Sequence, residues 1–511
     1  MTLRILVVML ALGGALHLWH RIGATRFDTR RSSLPPPGRR VSMSHSGVEW
    51  ARGWDLAPLR VPRPGSRRAE AGPPRLVLGR SGSTLVAAEA RASVMVFGPT
   101  QSGKTTGLAI PALLDWAGPV VAASVKRDLL DHTMAARSAL GEVRLFDPTG
   151  VTGLPASGWS PLGASRTWPG ARRMAAALTE GSRMASSGAE DAEFWYRSAA
   201  KLAAPLLLAA AGTRATMDDV LAWVDGQVVA EVIDRLVELD ATEAIRAARA
   251  IFGREERQRS SVYATLETVL EPFVGLDRTE PVLDDPGWLR AGTSTLYLCA
   301  PAHDQRRLAP LFVGVIRQIV EAAYDEVAHS RRPLDPPLLL VLDEAANIAP
   351  LDDLDGLAAT AAGHGIQLVT IWHDLAQVTA RYGGRAMTVA NNHRARLFLS
   401  GIADPGTLEY ASALIGDAMT RRSSTTSGGP SGRSVTTSQE HHRLISPDGL
   451  RRTPAGQGVL VYGALPPVRL RLRPFYEDRR KIHPAPLRGD RGLTSRPRVA
   501  GQPRSNRSSH R

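Results

Sequence analysis

A chain of 511 residues that is 43% hydrophobic and 22% charged is long enough for two to four structural units and too apolar for a disordered polymer. Its 63 Lys and Arg against 49 Asp and Glu leave a formal charge of +14, which favours an anionic partner, nucleic acid or a lipid surface, although a general drift toward arginine produces the same surplus. The one cysteine, Cys299, excludes an internal disulfide and fits a reducing compartment, where it reads as a small core residue.

In chain order, Ile5 to Trp19 is an apolar run broken by His17, with Arg4 before it and Arg21, Arg26, Arg30 and Arg31 after it. As a helix it spans roughly 22 Å, short of the roughly 30 Å hydrocarbon core. No clean small-residue cleavage site follows, so residues 1–24 read as a short membrane anchor, and the arginines downstream put the body of the chain in the cytoplasm. Residues 25–74, rich in Arg, Pro, Gly and Ser, read as a linker with little structure of its own. Short apolar segments at Leu76–Leu78 and Thr84–Ala87 look like strands that lead into the next unit.

Val94 to Phe97 reads as a buried strand, and Gly98-Pro99-Thr100-Gln101-Ser102-Gly103-Lys104-Thr105 then fits G-x-x-x-x-G-K-[ST] before an apolar helix to Trp116. In that context the backbone N–H groups of the loop, together with Thr106 and the positive end of the helix, cradle phosphates. Lys104 reaches the β- and γ-phosphates of ATP, and the Thr105 hydroxyl ligates Mg²⁺. Lysine is scarce, found only at 104, 126, 201 and 481, so the one in this loop stands where a compact point charge is needed. Further strands at Val120–Ala123 and Val143–Phe146, with helices near Lys104–Trp116 and Arg127–Leu140, make a βαβαβ pattern. That pattern implies a parallel sheet covered on both faces, with ligands at the carboxyl ends of its strands. Lys126 and Asp147 fall just past strand ends and are expected to line the nucleotide cleft.

From Ala171 to Phe273 strand signals vanish. Thr216-Met-Asp-Asp219 resembles a capping start, and amphipathic helices follow at Val228–Leu239 and Ala241–Ile251. Leu202–Ala211, interrupted by Pro205, is too short to span a bilayer and reads as a core helix. The sheet resumes at Ser294–Cys299, a long helix follows near Asp304–Ala328, and Pro337-Leu-Leu-Leu-Val-Leu-Asp-Glu344 is a buried strand that delivers two carboxylates to its end. Asp343 there holds Mg²⁺ directly or through water, and Glu344 polarises the water that attacks the γ-phosphate. The spacing of Lys104 and Asp343, 343 − 104 = 239 positions, exceeds what a minimal nucleotide-binding core needs, and a helical insertion takes up the excess. The fold class is therefore α/β: a P-loop core with a parallel sheet flanked by helices at 75–165 and 285–476, with an all-α insertion at 166–284. Past the strand Ile366–Trp372, His373 and Gln377 are candidates to sense the γ-phosphate. Arg394 and Arg396, before the strand Leu397–Ser400, are candidates to stabilise transition-state charge from a neighbouring subunit. Arg421–His442 reads as a Ser/Thr/Gly-rich mobile loop, Gly458–Tyr462 with Val468–Arg473 as a closing hairpin, and 477–511 as a disordered basic tail.

Together these stretches resemble the type IV secretion coupling proteins, the TraG/TraD-like conjugative DNA-transfer ATPases, from roughly Val94 to Tyr476. The resemblance rests on Gly98–Thr105, Ser124-Val-Lys-Arg-Asp128, Phe146-Asp-Pro-Thr-Gly150 with Trp159-Ser-Pro161 (an actinobacterial-looking order), Leu342-Asp-Glu344, Asp374-Leu-Ala-Gln377 with Tyr382-Gly383, and Gly401-Ile-Ala-Asp404. It implies that the core is of the RecA type and that the protein is a membrane-anchored homo-hexameric ring at the inner membrane, in which ATP hydrolysis pumps relaxase-bound single-stranded DNA toward secretion-channel components. Two features depart from the family: its strand-end glutamine is His373 here, and its usual two membrane helices are one short run. The alternatives are a related motor for double-stranded DNA or for protein without DNA, and a nucleotide-bound scaffold without turnover.

Overall fold

The computed structural model describes residues 47–62, 72–185, 192–276, 283–427 and 433–477. The expected anchor at 1–24 and the basic tail beyond Glu477 lie outside the described residues. Among those described, no helix is long and apolar enough to cross a membrane.

Eleven strands form one sheet. In chain order they are β1 (Val77–Ser81), β2 (Thr84–Ala87), β3 (Val94–Phe97), β4 (Val120–Ser124), β5 (Val143–Phe146), β6 (Thr295–Cys299), β7 (Leu338–Leu342), β8 (Ile366–Trp372), β9 (Ala395–Leu399), β12 (Gln457–Tyr462) and β13 (Val468–Arg471). Between β9 and β12 the chain makes a separate ribbon of β10 (Asp417–Ser427) and β11 (Arg433–Arg443). The order across the sheet is β2-β1-β13-β12-β9-β3-β8-β7-β4-β6-β5. From β9 to β5 every neighbouring pair is parallel, while the β12 to β2 edge is antiparallel.

The near-continuous apolar strands are explained by burial on both faces. In β3, Met95 and Phe97 join one hydrophobic cluster and Val94 and Val96 the other; in β7, Leu338, Leu340 and Leu342 face the first and Leu339 and Val341 the second. Helices Ile110–Asp115 and Asp128–Ser138 cover the second face, with Leu113 and Leu130 in its core. The first face continues into the helices that lie between β5 and β6: Trp168–Ala185, Ala192–Thr213, Met217–Asp225, Ala230–Glu238, Thr242–Phe252 and Glu256–Leu270. The Thr216 start is a reciprocal capping box, its hydroxyl accepting from the Asp219 N–H while the Asp219 carboxylate accepts from the Thr216 N–H. Ala192–Thr213 continues as one helix across Pro205, which is buried.

Two expectations are corrected. Residues 47–62, inside the expected linker, are tied to the sheet: Leu56 and Leu59 are buried, the Ala87 N–H donates to Leu59 O at 2.8 Å, and Arg60 forms a bridge with Val86. Leu56 and Leu59 dock it in the second cluster, against which Ala51 also packs, and Trp50 packs against the first. Of the segment expected as a loop from Arg421 to His442, the described residues 421–427 and 433–442 belong instead to the β10–β11 ribbon, paired from Asp417↔Arg443 to Ser427↔Arg433. Its ladder is set by backbone pairing, which a Ser/Thr-rich composition without apolar alternation conceals.

Candidate active site

The site is built at the carboxyl ends of three adjacent strands. β3 runs into the glycine loop, β7 into Asp343 and Glu344, and β8, between them, into His373. Two strand spacings, roughly 10 Å, separate β3 from β7. The side chains close that gap: the Thr105 hydroxyl lies 3.3 Å from Asp343 Oδ2 and donates to it. Ser124, at the end of β4 on the other side of β7, donates to the same oxygen at 3.4 Å. The Asp343 N–H is itself held by Ala123 O at 2.9 Å.

The loop reverses on two residues with left-handed backbone, Gln101 (φ 65°) and Gly103 (φ 87°). At Gly98 a Cβ would stand 2.5 Å from Ser102 Oγ and 3.1 Å from the Leu399 side chain, so the close turn requires glycine there. The chain then enters a π-turn, Thr105–Ala109, before α-helical Ile110. Lys104 is folded back on its own loop. Its Nζ donates to Gly98 O at 2.9 Å and to Pro99 O at 3.5 Å, and lies 3.1 Å from His373 Nδ1, which accepts from the ammonium. Burial lowers the Lys104 pKa, opposed by the carboxylates of Asp343 and Glu344. Burial and the Lys104 charge lower that of His373, so its ring is neutral at pH 7.

Asp343 is 3% exposed, and its Oδ1 has no hydrogen-bond partner. Burial, reinforced by Glu344 and offset by Lys104, Thr105 and Ser124, pushes its pKa up to about 6. A buried carboxylate oxygen left bare beside a threonine hydroxyl suits a hard divalent cation such as Mg²⁺, which takes few protein oxygens and completes its shell with water and phosphate. Glu344 is half-buried and left-handed (φ 60°), and it starts the short helix Ala345–Ile348. That conformation is unfavourable for a residue with a Cβ by about 1–2 kcal/mol. Hydrogen bonds to Glu344 O from Asn347 N at 2.9 Å and Ile348 N at 3.3 Å hold it. Arg381, on the helix Leu375–Tyr382, adds a 2.6 Å bond to Ala346 O.

Among the other expected residues, Gln377 turns its amide oxygen to the His373 N–H at 2.9 Å, and Asp374 caps the same helix through Gln377 N. Both shape the β8 end. Lys126 is exposed one turn past β4, its N–H on Ser124 Oγ at 3.3 Å, and its charge reaches Lys104 and His373. Asp147 is corrected. β5 is five strands from β3, roughly 24 Å, and the Asp147 carboxylate is spent on its own turn, accepting from Thr152 N at 2.7 Å, Val151 N at 3.2 Å and Thr149. Burial pushes that carboxyl up, but these hydrogen bonds outweigh it and hold the pKa low. Arg394 and Arg396 are not brought to the P-loop of their own chain. They lie at the amino-terminal end of β9, where Arg396 is level with Met95, and Arg394 pairs with Glu89 at 2.7 Å over the Tyr462 ring. Ser124, although it opens one of the stretches that carry the resemblance, and Arg381 were given no role from the sequence. A serine that ends an apolar strand is the only local trace of the first, and the second acts through a carbonyl 35 positions away.

A phosphate loop, an acidic strand and a polar strand end between them define a P-loop protein with a fold of the RecA type. Residues 72–492 match the family described as type IV secretory system conjugative DNA transfer, and the chain belongs to that family. Among its relatives are the conjugal transfer protein TraG of Escherichia coli, 26% identical over 415 residues, and protein VirD4 of Rhizobium radiobacter, 24% identical over 404 residues. These alignments cover 71% and 75% of this chain but 62% and 57% of those proteins, so the chain spans less than two thirds of either. The fold is that of the bacterial conjugative coupling protein TrwBdeltaN70 (TM-score 0.62, 18% identity, covering 84% of this chain and 92% of that one). It matches equally TrwB solved with ADP and Mg²⁺ (TM-score 0.60, 18% identity, covering 84% and 94%).

Proposed function

We propose that this chain is the ATP-driven coupling protein of a type IV secretion or conjugation system. It hydrolyses ATP with Mg²⁺ at the inner membrane, as a homo-hexamer, and moves relaxase-bound single-stranded DNA to the secretion channel. One observation carries the reading: Thr105 and Asp343, 238 positions apart, meet at 3.3 Å beside Lys104. Family membership and relatives named for conjugal transfer support the cargo, and TrwB solved with ADP and Mg²⁺ supports the ligand.

In this reading Thr105 and Asp343 hold Mg²⁺, which supplies charge neutralisation for the phosphates. Backbone N–H groups from Gly98 to Thr106 cradle the phosphates of ATP. Lys104 leaves Gly98 O and Pro99 O for the β- and γ-phosphates, and that release frees His373 Nδ1 to respond to the γ-phosphate. Glu344 orients the attacking water and accepts its proton. The purified protein is expected to hydrolyse ATP faster with DNA present. Lys104→Ala abolishes nucleotide binding, whereas Glu344→Gln binds ATP and does not turn it over, a loss of at least about 10²-fold. Undiminished hydrolysis by both variants refutes the mechanism, and stimulation by a protein substrate but never by DNA refutes the cargo.

A further inference from the structure

Glu344 stands on a turn that does not hold itself. Its backbone is left-handed, its side chain caps nothing, and the helix that follows, Ala345–Ile348, is a single turn. One turn forms too few hydrogen bonds to offset the cost of nucleating it. The chain beyond weakens it further. The helical donor for Ala346 O is residue 350, and Pro350 carries no N–H. Ala346 is 2% exposed, so its carbonyl needs a donor from the protein. Arg381 supplies one at 2.6 Å from the helix Leu375–Tyr382. Tyr382, next on that helix, donates to Leu351 O at 2.9 Å. The last turn of the helix thus holds a carbonyl on either side of Pro350. Arginine is a costly residue for this bond. Burial holds its pKa below the ordinary value, Arg306 adds a like charge, and among the described residues Arg381 pairs with no carboxylate. What it gives in return is a strong, directional, charge-assisted bond.

The other end of the same helix is fixed to the phosphate loop. Asp374 caps it through Gln377 N at 2.8 Å, Gln377 Oε1 accepts from the His373 N–H at 2.9 Å, and the His373 ring lies 3.1 Å from Lys104 Nζ. Eight residues of helix, roughly 12 Å, therefore run from the residue beside Lys104 to the donor behind Glu344. We propose that Arg381 is a positioning residue for hydrolysis: through Ala346 O it fixes where the Glu344 carboxylate stands, and through the helix Leu375–Tyr382 it ties that position to His373. This rests on Glu344 acting as the base in ATP hydrolysis. Arg381 itself touches neither the phosphate loop nor Asp343.

The test is ATP hydrolysis by the full chain. Displacing a reacting group by about 1 Å costs about a hundredfold, so Arg381→Met is expected to lower kcat by roughly ten- to a hundredfold with the KM for ATP unchanged. Arg381→Lys keeps a charged donor and is expected to recover most of that loss. Arg381→Gln, whose amide is too short to reach Ala346 O, is read in the same way if the methionine variant does not fold. Residual cleavage by Glu344→Gln is followed in single turnovers. There Arg381→Met is expected to cost less than about twofold more, because no base is left to place. A parent without hydrolysis, or Glu344→Gln at the parental rate, refutes the base and this inference with it. With Glu344→Gln inactive, a parental kcat in Arg381→Met refutes the inference alone. So does a raised KM at unchanged kcat. An equal loss in both backgrounds also refutes it, since that assigns Arg381 to the fold and not to the placement of Glu344.

Discussion

Asp343 is the residue at which electrostatics and function are most directly opposed. Its carboxyl is raised from 3.8 to about 6, so the folded state holds its proton more tightly than the unfolded chain does. Stability is therefore lost as pH rises through the interval from about 4 to 6, and it stays lost above that until a cation compensates. Asp343→Asn is expected to stabilise the protein without Mg²⁺ or nucleotide at pH 8 by about 2–3 kcal/mol, and by about a third of that at pH 4.5, while hydrolysis disappears. Denaturant melts at the two pH values check this, and a variant less stable than the parent at pH 8 contradicts it. At His373 a neutral ring accepts from Lys104. Glutamine keeps an acceptor, so His373→Gln is expected to retain turnover within about tenfold, whereas His373→Ala loses about a hundredfold. Steady-state hydrolysis distinguishes the two, and equal rates in both variants would show that the ring has no part in turnover.

At the scale of elements, the glycine loop and the acidic strand are legible in the sequence because each is a contiguous pattern: apolar strand, then turn or carboxylates. The long ribbon is not, since its pairing leaves no apolar period. Nor is the ionic junction that joins the helices after β5 to the chain after β7. Glu180, on Trp168–Ala185, accepts from Arg317 at 2.7 Å and from the Asp352 N–H at 2.6 Å. Arg317 also pairs with Asp353, and Arg183 pairs with Asp352 at 2.8 Å. The Glu180 and Arg317 side chains are only 16% and 15% exposed, so removing one strands the other's charge in a poorly solvated place. Glu180→Ala is expected to lower stability by about 2–3 kcal/mol, and Glu180→Leu with Arg317→Met to recover part of that, as read by chemical denaturation. A single variant within a few tenths of a kcal/mol of the parent would mean that the junction is solvated.

For the whole molecule, the strand order explains why distant residues share one site. Insertion of β8 between β3 and β7 places His373 between the phosphate loop and the carboxylates. The same order keeps Arg394 and Arg396 at the far end of β9, so any catalytic role for them belongs to a neighbouring subunit. In a ring, mixtures of Glu344→Gln and Arg396→Ala subunits are then expected to hydrolyse ATP faster than the two separate preparations together. A mixed rate equal to their sum removes Arg396 from that role.

The candidate nucleotide motifs were legible in the sequence alone, because loop, helix start and carboxylate pair are local patterns that do not depend on distant contacts. So was the alternation of apolar strands and helices, for the same reason. Only the tertiary structure decided which strand ends are neighbours. It turned Asp147 away to cap its own turn, left Asp343 Oδ1 without a hydrogen-bond partner, put Ser124 on the Asp343 carboxylate and Arg381 on the Ala346 carbonyl, and paired β10 with β11 as a separate ribbon. Each of these depends on strand order or on contacts between residues far apart in the chain, and no window of local sequence records those.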